Sequence, residues 1–330
     1  MSRLTLIICT YNRPEVIRKL AGIVAGQTHI PDQTLIIDGS HGDESERSLA
    51  AATLPGLAYH RVPPEHRGLT RQRNFGIALA TGDLISFLDD DTVPDPDYFE
   101  QVERCLERHP EAGGVGGYLL ERAWRKASAS PPAGNVFRWG EWERDDDLRW
   151  RIRRALGLAG KGQPGLMTPE GHPRPITFLP PDGQDYLSDM LPGGAMTFRR
   201  EVLTREKFSL FFQGYGLYED LEYSIRASRV APLYLCTQAR VAHYHAPGGR
   251  PDSFRYGKMV VRNGWMVWRS RWPAPGTSAT LRWWAVTILL ALLRLIDFRH
   301  TGHTSGPVEA AGRLAGAFSL FGETPGGMKV

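Results

Sequence analysis

The sequence predicts an α/β protein whose central sheet is mostly parallel, with helices on both faces and a helical extension at its C-terminal end. Three observations carry that expectation. Short apolar runs alternate with helix-patterned segments through the first third of the chain, and alternation of this kind builds a parallel sheet covered on both sides. The 330 residues, 42% of them hydrophobic, suffice for one large core with an appendage. Beyond residue 250 the chain turns aromatic, basic and apolar, which reads as helix.

In chain order, residues 4–9, 34–37, 57–61, 84–88 and 114–119 read as strands, each a short apolar run. Between them 14–25, 44–52, 69–80 and 97–107 read as helices, with Pro14 suited to a first helical turn. Ligands of such sheets bind beyond the carboxyl ends of the strands, so the polar residues after each strand are the candidates for chemistry. From 121 to 186 the pattern gives way to Pro, Gly and charge, and reads as an insertion with mobile parts. A glycine turn and strand follow at 191–198, then a helix from Tyr218, strands at 233–236 and 239–242, and a helix over 253–271. The expected division is a catalytic domain over 1–245 and a basic-aromatic helical region over 246–330. Within the former, 1–120 is the nucleotide-binding half, 121–190 the variable insertion and 191–245 the acceptor half.

A net charge of +4 gives no reason to expect a nucleic-acid partner, yet the charge is uneven. Between Arg250 and Arg299 the only acids are Asp252 and Asp297, which suggests an anionic surface or ligand near this region. Cys9, Cys105 and Cys236 are odd in number, widely spaced and form no CxxC pair. Neither a disulfide framework nor a thiolate zinc site is indicated, and the expected compartment is reducing. The N-terminus enters a strand pattern too short for a signal peptide, so a cytoplasmic location is expected. The apolar run within 283–296 is uninterrupted for about a dozen residues, short of the ~20 needed to span a bilayer.

The strongest local signal is the apolar run Leu84-Ile85-Ser86-Phe87-Leu88 ending in Asp89-Asp90-Asp91. Three adjacent carboxylates repel one another, and a bound Mn2+ or Mg2+ would relieve that cost; a solvated acidic turn is the alternative. Asp145-Asp146-Asp147 is the same tripeptide without a buried strand before it, and reads as a solvated charge run.

Several segments in order resemble glycosyltransferase family 2, whose members have the GT-A fold. They are Cys9-Thr10-Tyr11-Asn12-Arg13-Pro14, the stretch 68–83 leading into the aspartate triad, Gly193-Gly194 before a strand, and Tyr218-Glu219-Asp220-Leu221. The resemblance is close over 4–120 and looser over 190–245. It implies that Thr10, Tyr11 and Arg13 line a nucleotide pocket, that Asp38 accepts a hydrogen bond from the base, and that Arg71 or Arg73 reaches the base or diphosphate. It further implies Asp91 as metal ligand, Asp89 and Asp90 at the donor, Gly193 and Gly194 beside the donor sugar, and Glu219 within the acidic motif. Asp220 is implied as the general base, and His243 or His245 as a further metal ligand.

The implied reaction is a single displacement at the anomeric carbon of a nucleotide-sugar donor, in which Asp220 activates the hydroxyl of a saccharide, lipid-linked or other acceptor. Two other readings are weighed by the same residues. A nucleotidyltransferase would carry a glycine-rich loop after its first strand, which Thr10-Tyr11-Asn12-Arg13 lacks; a catalytically inactive sugar-nucleotide binder would not need Asp91 and Asp220. The tryptophans and arginines between 253 and 296 suggest peripheral contact with the inner face of a membrane, with core packing or an oligomer interface as alternatives.

Overall fold

The structure is a computed structural model; it describes residues 2–120, 124–128, 134–244, 251–296 and 305–322. The first elements are β1 (Leu4–Thr10), α1 (Pro14–Ala25), β2 (Gln33–Asp38), α2 (Glu44–Leu49), β3 (Leu57–Arg61), α3 (Leu69–Leu79), β4 (Leu84–Asp89), β5 (Thr92–Pro94), α4 (Tyr98–Arg108) and β6 (Gly114–Leu119). There follow β7 (Arg125–Lys126), β8 (Val136–Trp139), β9 (Trp142–Asp145), α5 (Leu148–Ala155), β10 (Asp185–Leu187), β11 (Ala195–Arg199), α6 (Arg200–Arg205) and α7 (Glu219–Ala227). The chain continues with β12 (Leu233–His243), α8 (Ser253–Arg271), α9 (Thr277–Ile296) and α10 (Gly306–Ser319).

The chain forms two compact units, 1–121 with 181–249, and 122–180 with 250–330. The first is built on a sheet of order β10-β12-β6-β11-β4-β1-β2-β3, with β5 added against β12. Strands β4, β1, β2 and β3 run parallel, whereas β11 runs antiparallel between β4 and β6. Strand β1 shows why both faces are covered. Leu6 and Ile8 point into a core shared with Ile17 and Leu20 of α1, while Ile7, one residue out of phase, joins Phe87, Phe198 and Tyr223 on the other face. A strand buried on both sides reads as a continuous apolar run, and each fully buried Leu or Ile contributes about 1.5–3 kcal/mol.

Strands 233–236 and 239–242, separate in the sequence reading, are one strand with an irregularity. β12 pairs with β6 through Leu233–Cys236, loses register, and resumes at Arg240. Bulges of this kind re-aim side chains without ending a strand.

In the second unit β7, β9 and β8 form a small antiparallel sheet, and α8 packs closely on α10. A Cβ added at Gly257 would lie 2.1 Å from the carbonyl oxygen of Glu309, and one at Gly312 would lie 2.1 Å from that of Phe254; glycine at both positions lets the two helices touch. Residues 145–147 are not the solvated charge run that their sequence suggests. Asp145 is exposed, but the Asp146 carboxylate is wholly buried, bound by Arg174 at 2.8 and 3.1 Å and also by Arg154. Two guanidiniums converging on one carboxylate make burial of that charge tolerable.

Helix α9 is longer than the apolar run suggested, because it begins at Thr277. Its stretch Thr277–Leu295 is long and apolar enough to cross a membrane by length and composition alone, and 22% of its most apolar window is buried. Trp268 and Trp283 do not face outward. They stack at 5.3 Å in the core of the unit, and Trp268 Nε1 donates to the Pro169 carbonyl at 2.8 Å. The outward residues are instead Leu281, Ile288, Leu292 and Leu295 of α9, with Phe318 and Phe321 at the end of α10.

Candidate active site

The end of β4 delivers Asp89 to the carboxyl edge of the parallel strands, and the chain turns at once into β5. Because β5 pairs antiparallel with the end of β12, with His243 opposite Thr92, the imidazole arrives beside the aspartates. His243 Nε2 lies 2.9 Å from Asp91 Oδ1. One ligand atom each from Asp89, Asp91 and His243 lies within 4.8 Å of the others. Two carboxylates and an imidazole are a donor set that suits Mn2+ and is compatible with Mg2+, so these residues fit the divalent ion expected of the triad. His245, the other histidine expected at the metal, lies outside the described residues.

Asp90 turns the other way. It accepts from Thr10 Oγ1 at 2.7 Å and Arg13 Nη1 at 2.7 Å, and the same Arg13 nitrogen stands 3.4 Å from Asp91 Oδ2. Burial raises the Asp90 pKa, while Arg13 and the Thr10 hydroxyl pull it back. Tyr11 is half exposed, edge-on to His41. Asp38, expected at the base, is wholly buried. Its carboxylate accepts from the Ser40 backbone N–H at 2.8 Å, from the Ser40 hydroxyl, and from Tyr59 at 2.8 Å, so it holds the loop after β2.

Arg71 and Arg73, equivalent in the sequence reading, are placed quite differently. Arg71 caps the carbonyl of Glu65 at the surface. Arg73, 3% exposed, pairs through Nη1 with Glu219 and through Nη2 with the Gly193 carbonyl at 2.9 Å and Asp89 at 3.3 Å. Its guanidinium also lies 5.2 Å from the Phe208 ring centre. Burial disfavours the Arg73 charge, but Glu219 and Asp89 outweigh it and hold the group protonated. One buried cation therefore ties together the metal-capable aspartate, the glycine turn and the first residue of α7.

Asp220 stands at the start of α7. Its Oδ2 accepts from the Gly193 N–H at 2.8 Å and its Oδ1 from the Leu221 N–H at 2.9 Å. Pairing of β11 with β4, Ala195 opposite Leu88, lays Gly193 and Gly194 over the aspartates. A Cβ at Gly193 would lie 2.9 Å from the Asp220 Cβ, and one at Gly194 would lie 2.9 Å from Asp89 Oδ2, so close approach requires glycine at both. Burial raises the Asp220 pKa, against the Gly193 N–H and Arg73, and burial pushes Glu219 up to about 8 despite Arg73. Even with Glu219 neutral, the four carboxylates Asp89, Asp90, Asp91 and Asp220 face the two guanidiniums of Arg13 and Arg73. That excess of negative charge favours a divalent cation.

The structure also brings together two of the three cysteines that the sequence reading left apart. Cys105, Cys236 and Asp185 offer ligand atoms within 4.8 Å of one another. No spacing rule reaches across the 130 residues between Cys105 and Cys236.

The chain is 28% identical over 121 residues to a glucosyl-dolichyl phosphate glucuronosyltransferase of Haloferax volcanii, covering 36% of this chain and 38% of that protein. It is 33% identical over 95 residues to the hyaluronan synthase of Pasteurella multocida, covering 28% of this chain and 10% of that one. The chain thus spans well under half the length of these curated relatives. In fold it resembles the mannosyltransferase PcManGT of Pyrobaculum calidifontis, solved in complex with GDP-Man and Mn2+. The TM-score is 0.51 at 13% identity, over 97% of this chain and 75% of that one. GalNAc-T7, solved with UDP, GalNAc and Mn2+, gives a TM-score of 0.50 at 15% identity, over 79% of this chain and 48% of that one. At such identities the likeness speaks to the fold, which is of the GT-A type. The family model described as glycosyl transferase family 2 matches residues 5–205, more than half of the sequence, and the chain belongs to that family.

Proposed function

We propose that this chain is a metal-dependent, inverting glycosyltransferase that moves a sugar from a nucleoside diphosphate donor to an acceptor hydroxyl. The observation that carries the reading is the convergence of Asp89, Asp91 and His243 at the sheet edge, with Asp220 held to the same glycine turn that covers them. In this reading Asp91, His243 and Asp89 hold Mn2+ or Mg2+, which when bound neutralises charge on the departing diphosphate. Arg13 lies beside the same carboxylates and adds a fixed positive charge. Thr10 and Tyr11 border the nucleotide, and the bare backbone of Gly193 and Gly194 lets the donor sugar approach. Asp220 takes the acceptor proton as the hydroxyl attacks, and one displacement inverts the anomeric centre.

The support for a nucleotide-sugar donor is family membership, together with fold neighbours solved with UDP and with GDP-Man. A UDP-sugar is the first donor to test and a GDP-sugar the second. Names of relatives, a hyaluronan synthase and a dolichyl-phosphate sugar transferase, favour a saccharide or lipid-linked acceptor. Titration of donor in the presence of manganese tests the metal assignment. Asp91→Ala should lose metal-dependent binding while keeping the wild-type circular dichroism spectrum, and unchanged affinity would overturn it.

We also propose peripheral attachment to the cytoplasmic face of a membrane. Its support is the outward apolar row Leu281, Ile288, Leu292 and Leu295 with Phe318 and Phe321, in a region rich in arginine. Flotation with anionic vesicles at low salt is expected; full-length protein remaining at the bottom would contradict it.

A further inference from the structure

We propose that Cys105, Cys236 and Asp185 form a second cation site, selective for zinc and chemically distinct from the carboxylate-imidazole set at the sheet edge. Cys105 comes from α4, Cys236 from β12 immediately before its irregularity, and Asp185 from β10, where it pairs directly opposite Cys236. Both cysteines are wholly buried. Burial disfavours a role as reactive thiols, which need access, and suits a structural metal site, which does not.

The donor separations fit. Zinc bonds of about 2.0–2.3 Å place tetrahedral ligand atoms roughly 3.3–3.8 Å apart, and here the three lie within 4.8 Å of one another. The Cys236 thiol donates to the Gln101 carbonyl oxygen at 3.8 Å; zinc would displace that proton, and the oxygen is the candidate for a fourth position. Two thiolates with one carboxylate favour zinc over the harder manganese and magnesium.

Cys236 stands directly before the point where β12 loses register, with Arg108 Nη2 4.0 Å from its sulfur. Arg108 donates to both oxygens of Asp185 at 2.8 and 3.0 Å, and His109 Nε2 lies 3.1 Å from Oδ2 while its ring stacks on Tyr234 at 3.9 Å. These contacts fix the carboxylate, and a carboxylate offers about four lone-pair positions, enough for Arg108, His109 and a metal together. The charge also closes. A dication, two thiolates, one carboxylate and one guanidinium sum to zero, so a neutral assembly sits in a buried place. Position along β12 separates the two sites, since seven residues from Cys236 to His243 span on the order of 20 Å.

Cadmium titration of the reduced full-length protein tests this, because cadmium bound to thiolate gives an ultraviolet charge-transfer band that carboxylate and imidazole ligands do not. The expected result is a band saturating at one equivalent, bleached by zinc, absent in Cys236→Ser and retained in Asp91→Ala. Should the cysteine variant fail to fold, Asp185→Asn leaves both thiols in place and should weaken cadmium binding at least ~10-fold. No band in the reduced protein, or an affinity unchanged by Asp185→Asn, would overturn the proposal. So would a band lost in Asp91→Ala but kept in Cys236→Ser.

Discussion

An asparagine at position 220 keeps the shape that receives the Gly193 and Leu221 N–H groups but cannot take a proton. Turnover should fall roughly 10²- to 10⁴-fold with donor affinity little changed; near-normal turnover would move the base elsewhere. The same residue sets a pH dependence. Burial raises its pKa above the ordinary aspartate value of 3.8, and a base works only when deprotonated. Activity should therefore be lost as pH falls through a value above the usual range, and the acid limb measured on kcat should vanish in the residual activity of Asp220→Asn. Among single residues, the aspartate triad and the acidic pair at 219–220 were visible in sequence because each follows or starts a well-patterned element. Partners across the fold were not visible. Nothing in the local sequence separates Arg71, which reaches a surface carbonyl, from Arg73, which is buried among carboxylates. The inward turn of Asp38 toward Ser40 and Tyr59 likewise depends on β3 lying beside β2.

At the scale of elements, the strands and helices of the first 120 residues follow from apolar periodicity, because strands buried on both faces leave an unbroken signal. The insertion did not yield to the same reading, since its order rests on ion pairs and rings instead of an apolar period. Arg174, for example, lies over Phe137, Trp150 and Phe178 while it binds Asp146. That difference makes a stability prediction. Asp146→Asn removes the charge shared by Arg154 and Arg174 and should cost about 3–5 kcal/mol in denaturant unfolding of the unit that holds it. Asp145→Asn, on a carboxylate 68% exposed, should stay within about 0.5 kcal/mol. Equal effects from the two would mean that the burial of Asp146 contributes nothing. Helix α9 shows a different limit. An apolar run marks where a helix is greasy but not where it starts, so the turn from Thr277 went unread.

For the whole molecule, fold class and family were legible because motifs recur in a fixed order along the chain, and the fold gathers them at the carboxyl edge of the parallel strands. Which surfaces face outward was not. Two of the tryptophans that suggested a headgroup contact, Trp268 and Trp283, form a buried stack, while Trp265, Trp272 and Trp284 are partly buried; the exposed apolar residues include leucines and an isoleucine of α9 and Phe318 and Phe321 at the end of α10. The two halves of the candidate site come from distant stretches, Asp89 to Asp91 before the insertion and Asp220 to His243 after it, so the proposed activity would require the entire first unit assembled. Assembled in this way, these residues are proposed to transfer sugar from a nucleotide donor with the help of a divalent ion. The most direct measurement is nucleoside diphosphate release from a panel of UDP- and GDP-sugars, with manganese and with chelator, by the wild type and Asp91→Ala. Release that requires manganese and disappears in Asp91→Ala is the predicted result, and release that persists in chelator or in the variant would contradict it.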